Sequence, residues 1–163
     1  MSQFDSQLPL VPSLLDRLID TEPDVSTEPL WSRSHTLTQL KESVRRDLEN
    51  LLNTRQTRTD LFLQSCETAR SILTYGVPDF TAQGMDASDE QHRLKEAVGQ
   101  AIRTFEPRLI EVQVDVEATD STFDRKIHLK INAILCAEPV IESIVFDTIV
   151  ETSSGTCEVK MES

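Results

Sequence analysis

The hydrophobic period of this chain changes once, near Glu106-Pro107, and that change dictates the fold class. Before it, Leu37, Leu40, Val44, Leu48, Leu51 and Leu52 recur at steps of three and four, and so do Leu94, Val98, Ala101, Ile102 and Phe105. Such spacing puts one apolar stripe on a helix. After it, Val112, Val114 and Val116 alternate with polar residues. So do Ile127, Leu129, Ile131 and Ala133, then Ile144, Phe146, Thr148 and Val150, then Cys157, Val159 and Met161. Strict alternation is the mark of strands with one buried face. Helices first and strands last predict an α+β fold, with N-terminal helices packed on one face of a C-terminal antiparallel β-sheet and the other face polar.

Punctuation sets the boundaries. Ser34 or Thr36 caps the first long helix and Asn53-Thr54 ends it. The second starts at Ser88, with Gln91 placed as in a capping box, and ends near Phe105 because Pro107 disfavours helical geometry at Glu106. Gly99 weakens that helix and marks a close packing contact. A short helix is predicted over Thr68–Leu73, closed by Gly76 and Pro78. Loops are predicted at Arg55–Asp60, Thr81–Ala87 and Thr119–Asp124, a break at Glu138-Pro139, and a hairpin turn at Ser153-Ser154-Gly155. Residues 1–34 form an acidic, Pro-punctuated arm, and residues 35–163 form the domain. Within the arm, Ser13–Asp20 reads as a short helix with Leu14, Leu15, Leu18 and Ile19 in one stripe and Asp16, Arg17 and Asp20 opposite. A helix this short does not stand alone in water. It docks either on its own domain or on a partner. Thr21–Arg33 reads as a linker.

The 163 residues suit one domain plus an appendage. No apolar run is long enough to span a bilayer, and the first residues lack the pattern of a signal peptide, so a cytoplasmic location is expected. Cys66, Cys136 and Cys157, an odd number, read as reduced thiols, the last two as small apolar packers. The net charge of −12 disfavours nucleic acid and anionic membrane surfaces and suits a protein partner with a basic face.

Signs of catalysis are sparse. There is no nucleophile elbow, and Gly76, Gly84, Gly99 and Gly155 are too scattered for a phosphate cradle. His35, His92 and His128 are isolated and read as surface residues without metal-ligand spacing. A carboxylate pair such as Glu106 and Asp79 can be nominated for glycoside hydrolysis, but among 28 acidic residues such a pair carries little weight. No catalytic residue, metal or cofactor is therefore expected. Phe105-Glu106-Pro107-Arg108 stands out where helix becomes strand. If extended, Glu106 and Arg108 point to one side of a backbone fixed by Pro107, and Arg108 can grip a carboxylate with two hydrogen bonds. This reads either as a partner-recognition device or as a helix stop with a local ion pair. Arg45-Arg46 and Arg55/Arg58 read as a solvated helix face and a loop.

Four segments together resemble the GPW family of contractile-tail baseplate wedge proteins, once labelled lysozyme-like, and within it the TssE group of type VI secretion machines. They are Ser13–Leu18 (SLLDRL), Ser43–Arg55 (SVRRDLENLLNTR), Ser71–Phe80 (SILTYGVPDF) and Phe105–Leu109 (FEPRL). The order holds from about residue 13 to the end. Gln56–Glu67 and Thr21–Arg33 carry little of it. The resemblance implies a non-catalytic structural subunit in which Glu106, Pro107 and Arg108 dock on the wedge proteins TssF and TssG. It also implies that the strands from about Val140 to Met161, with Ile144, Phe146, Val150 and Val159, meet the sheath proteins TssB and TssC and help start sheath assembly. TssK and the central spike hub are further implied partners, with no nucleic acid and no membrane insertion. The same fold also serves an IraD-like regulatory anti-adaptor, and a peptidoglycan hydrolase is a remote alternative.

Overall fold

A computed structural model of the chain describes residues 13–19, 24, 33–56, 70–79, 88–117, 126–137, 140–151 and 154–162. Most of the predicted linker at Thr21–Arg33, Thr68 and Ala69, the stretch 57–67 with Cys66, and the loops at Thr81–Ala87 and Thr119–Asp124 lie outside them, as do Glu138-Pro139 and Ser153. The helices are α1 (Leu14–Leu18), α2 (Arg33–Asn53) and α3 (Ser88–Phe105). They precede strands β1 (Leu109–Glu117), β2 (Lys126–Ala137), β3 (Val140–Glu151) and β4 (Cys157–Met161). The strands pair antiparallel in chain order, β1-β2-β3-β4. The expected α+β class with an antiparallel sheet is the observed one.

The stripes read from the sequence meet in one core. Val44, Leu48, Leu51 and Leu52 of α2 and Leu94, Val98, Ala101 and Ile102 of α3 are buried. They join the inward alternates Val112, Val114, Ile127, Leu129, Ile131, Ala133, Ile144, Phe146, Val150, Cys157 and Val159. α3 packs against β1 and α2 against β4, so the two long helices lie over opposite ends of the same inward sheet face. Removing this apolar surface from water contributes about 25 cal/mol per Å², the main force holding the helices on the strands.

Four local features differ from expectation. α2 already begins at Arg33, so Ser34 and Thr36 lie inside it instead of capping it. The segment before Tyr75 is a single 3-10 turn, Ile72–Thr74, capped by the Ser71 hydroxyl, which accepts the Leu73 N–H at 3.3 Å. β1 carries a bulge: its register shifts between Ile110 and Gln113, and Glu111 has φ +53°. Leu109 and Val112 are both buried although three residues apart. An unbroken strand would send them to opposite faces, and the extra residue restores them to one. The outward sheet face is polar along most of its length but exposes Ile110 and Ile141.

Candidate functional site

The corner where α3 becomes β1 is built by Pro107. The Glu106 N–H still donates to Ile102 O at 2.8 Å, closing the last turn of α3, and the Leu109 N–H returns to Glu106 O at 3.1 Å. Glu106 is thereby turned inward and is only 4% exposed, whereas Pro107 stays on the surface. A buried carboxylate needs a counter-charge, and Arg108 supplies it. Its Nε donates to Glu106 Oε1 and its Nη2 to Oε2, both at 2.6 Å. The same guanidinium reaches Asp47 Oδ2 on α2 at 2.6 Å. The hydrogen bonds that Arg108 donates to Glu106, and then to Asp47, outweigh burial and hold it firmly charged.

The sequence placed Glu106 and Arg108 on one side of the chain, and the structure brings them together as an ion pair. The two-pronged grip that Arg108 could offer a partner is spent on its own Glu106. Asp47, the third member, entered the sequence reading only within the Ser43–Arg55 segment, with nothing to pair it with Arg108.

The network extends to the arm. Arg46 Nη2 donates to Asp47 Oδ1 at 3.1 Å and to Asp16 Oδ1 of α1 at 2.7 Å. Asp16 Oδ2 also accepts the Ser43 hydroxyl at 2.7 Å and that of Ser13, the α1 N-cap, at 2.6 Å. Burial pushes the Asp16 carboxyl up, but hydrogen bonds from Ser13, Ser43 and Arg46 overcome it and bring its pKa to about 2. A depressed carboxylate contributes stability above its ordinary value and loses it as pH falls through the folded one. Arm docking is therefore expected to weaken as pH falls from 3.8 to about 2. Hydrogen exchange checks this at the Arg17 and Ile19 amides, which donate to Ser13 O and Leu15 O at 3.1 Å. Their protection should fall in that window ahead of the sheet amides. Protection lost only together with the sheet would show that the arm has no independent latch.

A shallow groove of about 360 Å³ runs along this corner, bordered by Ser13, Tyr75, Phe105, Glu106, Pro107 and Arg108. Tyr75 meets Phe105 edge to face, with centroids 5.2 Å apart. Burial, then the nearby charges of Asp47 and Glu106, raise the Tyr75 hydroxyl above its ordinary value.

Arg45, Arg46 and Arg55, expected on a solvated helix face and a loop, are half-buried and bonded. Arg45 pairs with Glu42 and Glu49 and donates to Val159 O on β4 at 3.1 Å. Arg46 bridges α1 and Asp47 as above, and Arg55 donates to Leu52 O at 3.3 Å and to Gly155 O. Arg58 and Cys66 lie outside the described residues, and so does the His35 side chain. Cys157 is buried, which raises its thiol; Cys136 is half-buried. His92 is exposed and His128 half-buried.

The strand residues that the resemblance implies for sheath contact, Ile144, Phe146, Val150 and Val159, all lie in the core. Their side chains do not reach the surface, because they occupy the inward alternates of β3 and β4. Any contact through these strands uses backbone edges or outward alternates. The β4 edge is partly plugged by α2: Asn53 accepts the Cys157 N–H at 2.9 Å and donates to Cys157 O at 2.8 Å. The β1 edge is more open. Val112 O, which faces away from β2, accepts from Arg103 at 3.1 Å. Alternation then turns the backbone groups of Val114 and Val116 the same way, and no described residue bonds them there. A groove of about 560 Å³ lies between this edge and α3, lined by His92, Lys95, Gln100 and Arg103 among others. Gly99 sits in the same helix. A Cβ there would meet the Arg103 guanidinium at 3.2 Å, so the close contact expected at this glycine is with the arginine that caps the edge.

Among the described residues no three His, Cys, Asp or Glu side chains are placed to hold a metal ion, and no helix is long and apolar enough to cross a membrane. The family model described as "Baseplate wedge protein gp25" matches residues 38–140, more than half of the chain. No curated protein matches. A solved structure titled "The baseplate complex from the type VI secretion system" contains a similar chain, 17% identical, at a TM-score of 0.47. The match covers 77% of this chain and 96% of that one.

Proposed function

This chain belongs to the gp25 baseplate wedge family, and on that premise we propose that it is a structural, non-catalytic baseplate subunit of a type VI secretion machine. In this reading residues 35–163 form the wedge domain and residues 1–34 an arm. The domain binds the wedge proteins TssF and TssG at the Glu106-Pro107-Arg108 corner, contacts TssK and the central hub within the baseplate, and helps start the TssB/TssC sheath. The assembly works in the cytoplasm.

The observation that carries the corner is its division of labour. Glu106 and Arg108 neutralise each other and lock the backbone, while Pro107 is left exposed beside an open groove. Such a preset corner can be recognised without ordering cost on binding. For the sheath, the open Val114–Val116 edge supports addition of an extended strand, since an unpaired edge is a template for one. The outward residues of β1 include Glu111 and Glu117, which favour Lys or Arg on that strand, while Asp115 is already paired with Lys95 of α3 at 2.7 Å.

The corner is tested with Pro107→Asp, which changes an exposed residue. The variant and parent, tagged, are co-expressed with TssF and TssG and purified. Recovery of both by the parent, with at least about tenfold less by an equally stable variant, is the expected result. Equal recovery would remove the corner from the interface.

A further inference from the structure

The arm helix sits on the domain with its polar side inward. Leu14, Leu15, Leu18 and Ile19 are 78%, 57%, 81% and 45% exposed, and no residue of α1 is buried. What holds it is Asp16, bonded to Ser43 and Arg46 of α2. A five-residue helix cannot persist on its own account, and here it gains little from apolar burial on its own domain. An ion-pair latch that displays four large apolar side chains is an arrangement for covering them elsewhere.

We propose that α1 is a docking ridge latched by Asp16, and that its occupant is an α-helix of another baseplate subunit, apolar on its contact face and carrying a flanking Lys or Arg. The proposal rests on the baseplate reading and adds a second contact beside the corner.

Three observations choose this occupant. Leu14 and Leu18 stand four residues apart on α1 with Leu15 beside them, and Ile19 follows as the extended C-cap. The Leu14–Leu18 row is a ridge of the kind that fits the groove of another helix. The backbone here is already bonded within itself: Arg17 and Ile19 donate inside the arm, and Thr74 and Tyr75 inside the 3-10 turn. A strand would find no ladder, whereas a helix needs none. The ionic network joins two arginines, Arg46 and Arg108, to three carboxylates, Asp16, Asp47 and Glu106. One negative charge is left over, and a basic residue on the occupant complements it. The ridge is also continuous with the corner. Ser13, which caps α1, lines the same groove as Tyr75 and Pro107, and the turn leading to Tyr75 exposes Ile72 and Leu73.

The test uses the full chain co-expressed with TssF and TssG, in three forms: parent, Leu14→Ser/Leu18→Ser, and Asp16→Asn. The leucine variant should keep the parent's thermal midpoint, because both side chains are exposed, and bind the wedge subunits at least about tenfold more weakly. Asp16→Asn should bind more weakly than the parent and show faster exchange at the Arg17 and Ile19 amides, which a passive surface aspartate would not produce. Undiminished binding by the leucine variant overturns the ridge while leaving the corner standing. A parent dimer that the leucine variant disperses overturns it too, by making a second copy the occupant. A parent that binds neither subunit overturns the baseplate reading and the ridge with it.

Discussion

Gly76→Ala is expected to cost the domain about 3 kcal/mol, read as a lower urea midpoint at unchanged slope. Two penalties add. Gly76 has φ +108°, a conformation that residues with a Cβ rarely adopt. An alanine Cβ would also lie 2.4 Å from Thr54 O and 2.9 Å from its carbonyl carbon. Those are backbone atoms at the end of α2, so relief requires moving the chain. The segment cannot move freely, because the Val77 N–H donates to Thr54 O and the Gln56 N–H to Val77 O, each at 2.9 Å. This short parallel bridge fixes Tyr75 beside Phe105, and so one wall of the corner groove. Gly99→Ala is the internal control. Its Cβ would meet only the flexible end of Arg103, and alanine favours the helix by up to about 1 kcal/mol. A loss at Gly76 no larger than the change at Gly99 would refute the bridge as a rigid strut.

Arg108→Ala carries the other large effect, a loss of about 3 kcal/mol. It strands the Glu106 carboxylate, whose side chain is 6% exposed, without its counter-charge. The double variant Glu106→Gln/Arg108→Met removes both charges and should be more stable than Arg108→Ala alone, since an uncompensated buried charge costs more than a missing pair. Denaturation of the three proteins decides the matter. If Arg108→Ala is as stable as the parent, the pair is ornamental to the fold and Arg108 is free for partners. If it is destabilised as expected, weaker partner binding by this variant reports lost structure as much as lost contact. Pro107→Asp and the α1 leucines are then the cleaner probes.

Much of this architecture was legible in the residues. The change of period at Glu106-Pro107 located the junction of helices and sheet, since both periodicities are set by local backbone geometry. The helix ends at Asn53 and Phe105 followed from capping chemistry and Pro107. Gly76 could be marked because a left-handed residue there is a local requirement. Glu106 and Arg108 could be placed on one side because they are two residues apart.

Contacts between distant residues were not legible. Asn53 meets Cys157 across 104 positions, and Asp16 meets Arg46 across 30. With 28 acidic residues and 16 basic ones, almost any pairing satisfies charge alone. The sequence could say that α1 has an apolar stripe and must dock, but not on which side. The tertiary structure settled it by bringing Ser43 and Arg46 together as a ready site for one carboxylate. It likewise plugged part of the β4 edge with Asn53, left most of the β1 edge open, and inserted the Glu111 bulge so that Leu109 and Val112 share a core. Local periodicity determined the elements of this protein. Which polar groups were spent inside the fold, and which surfaces were left for partners, depended on closing the chain, because a hydrogen bond is decided by positions in space that no local pattern encodes.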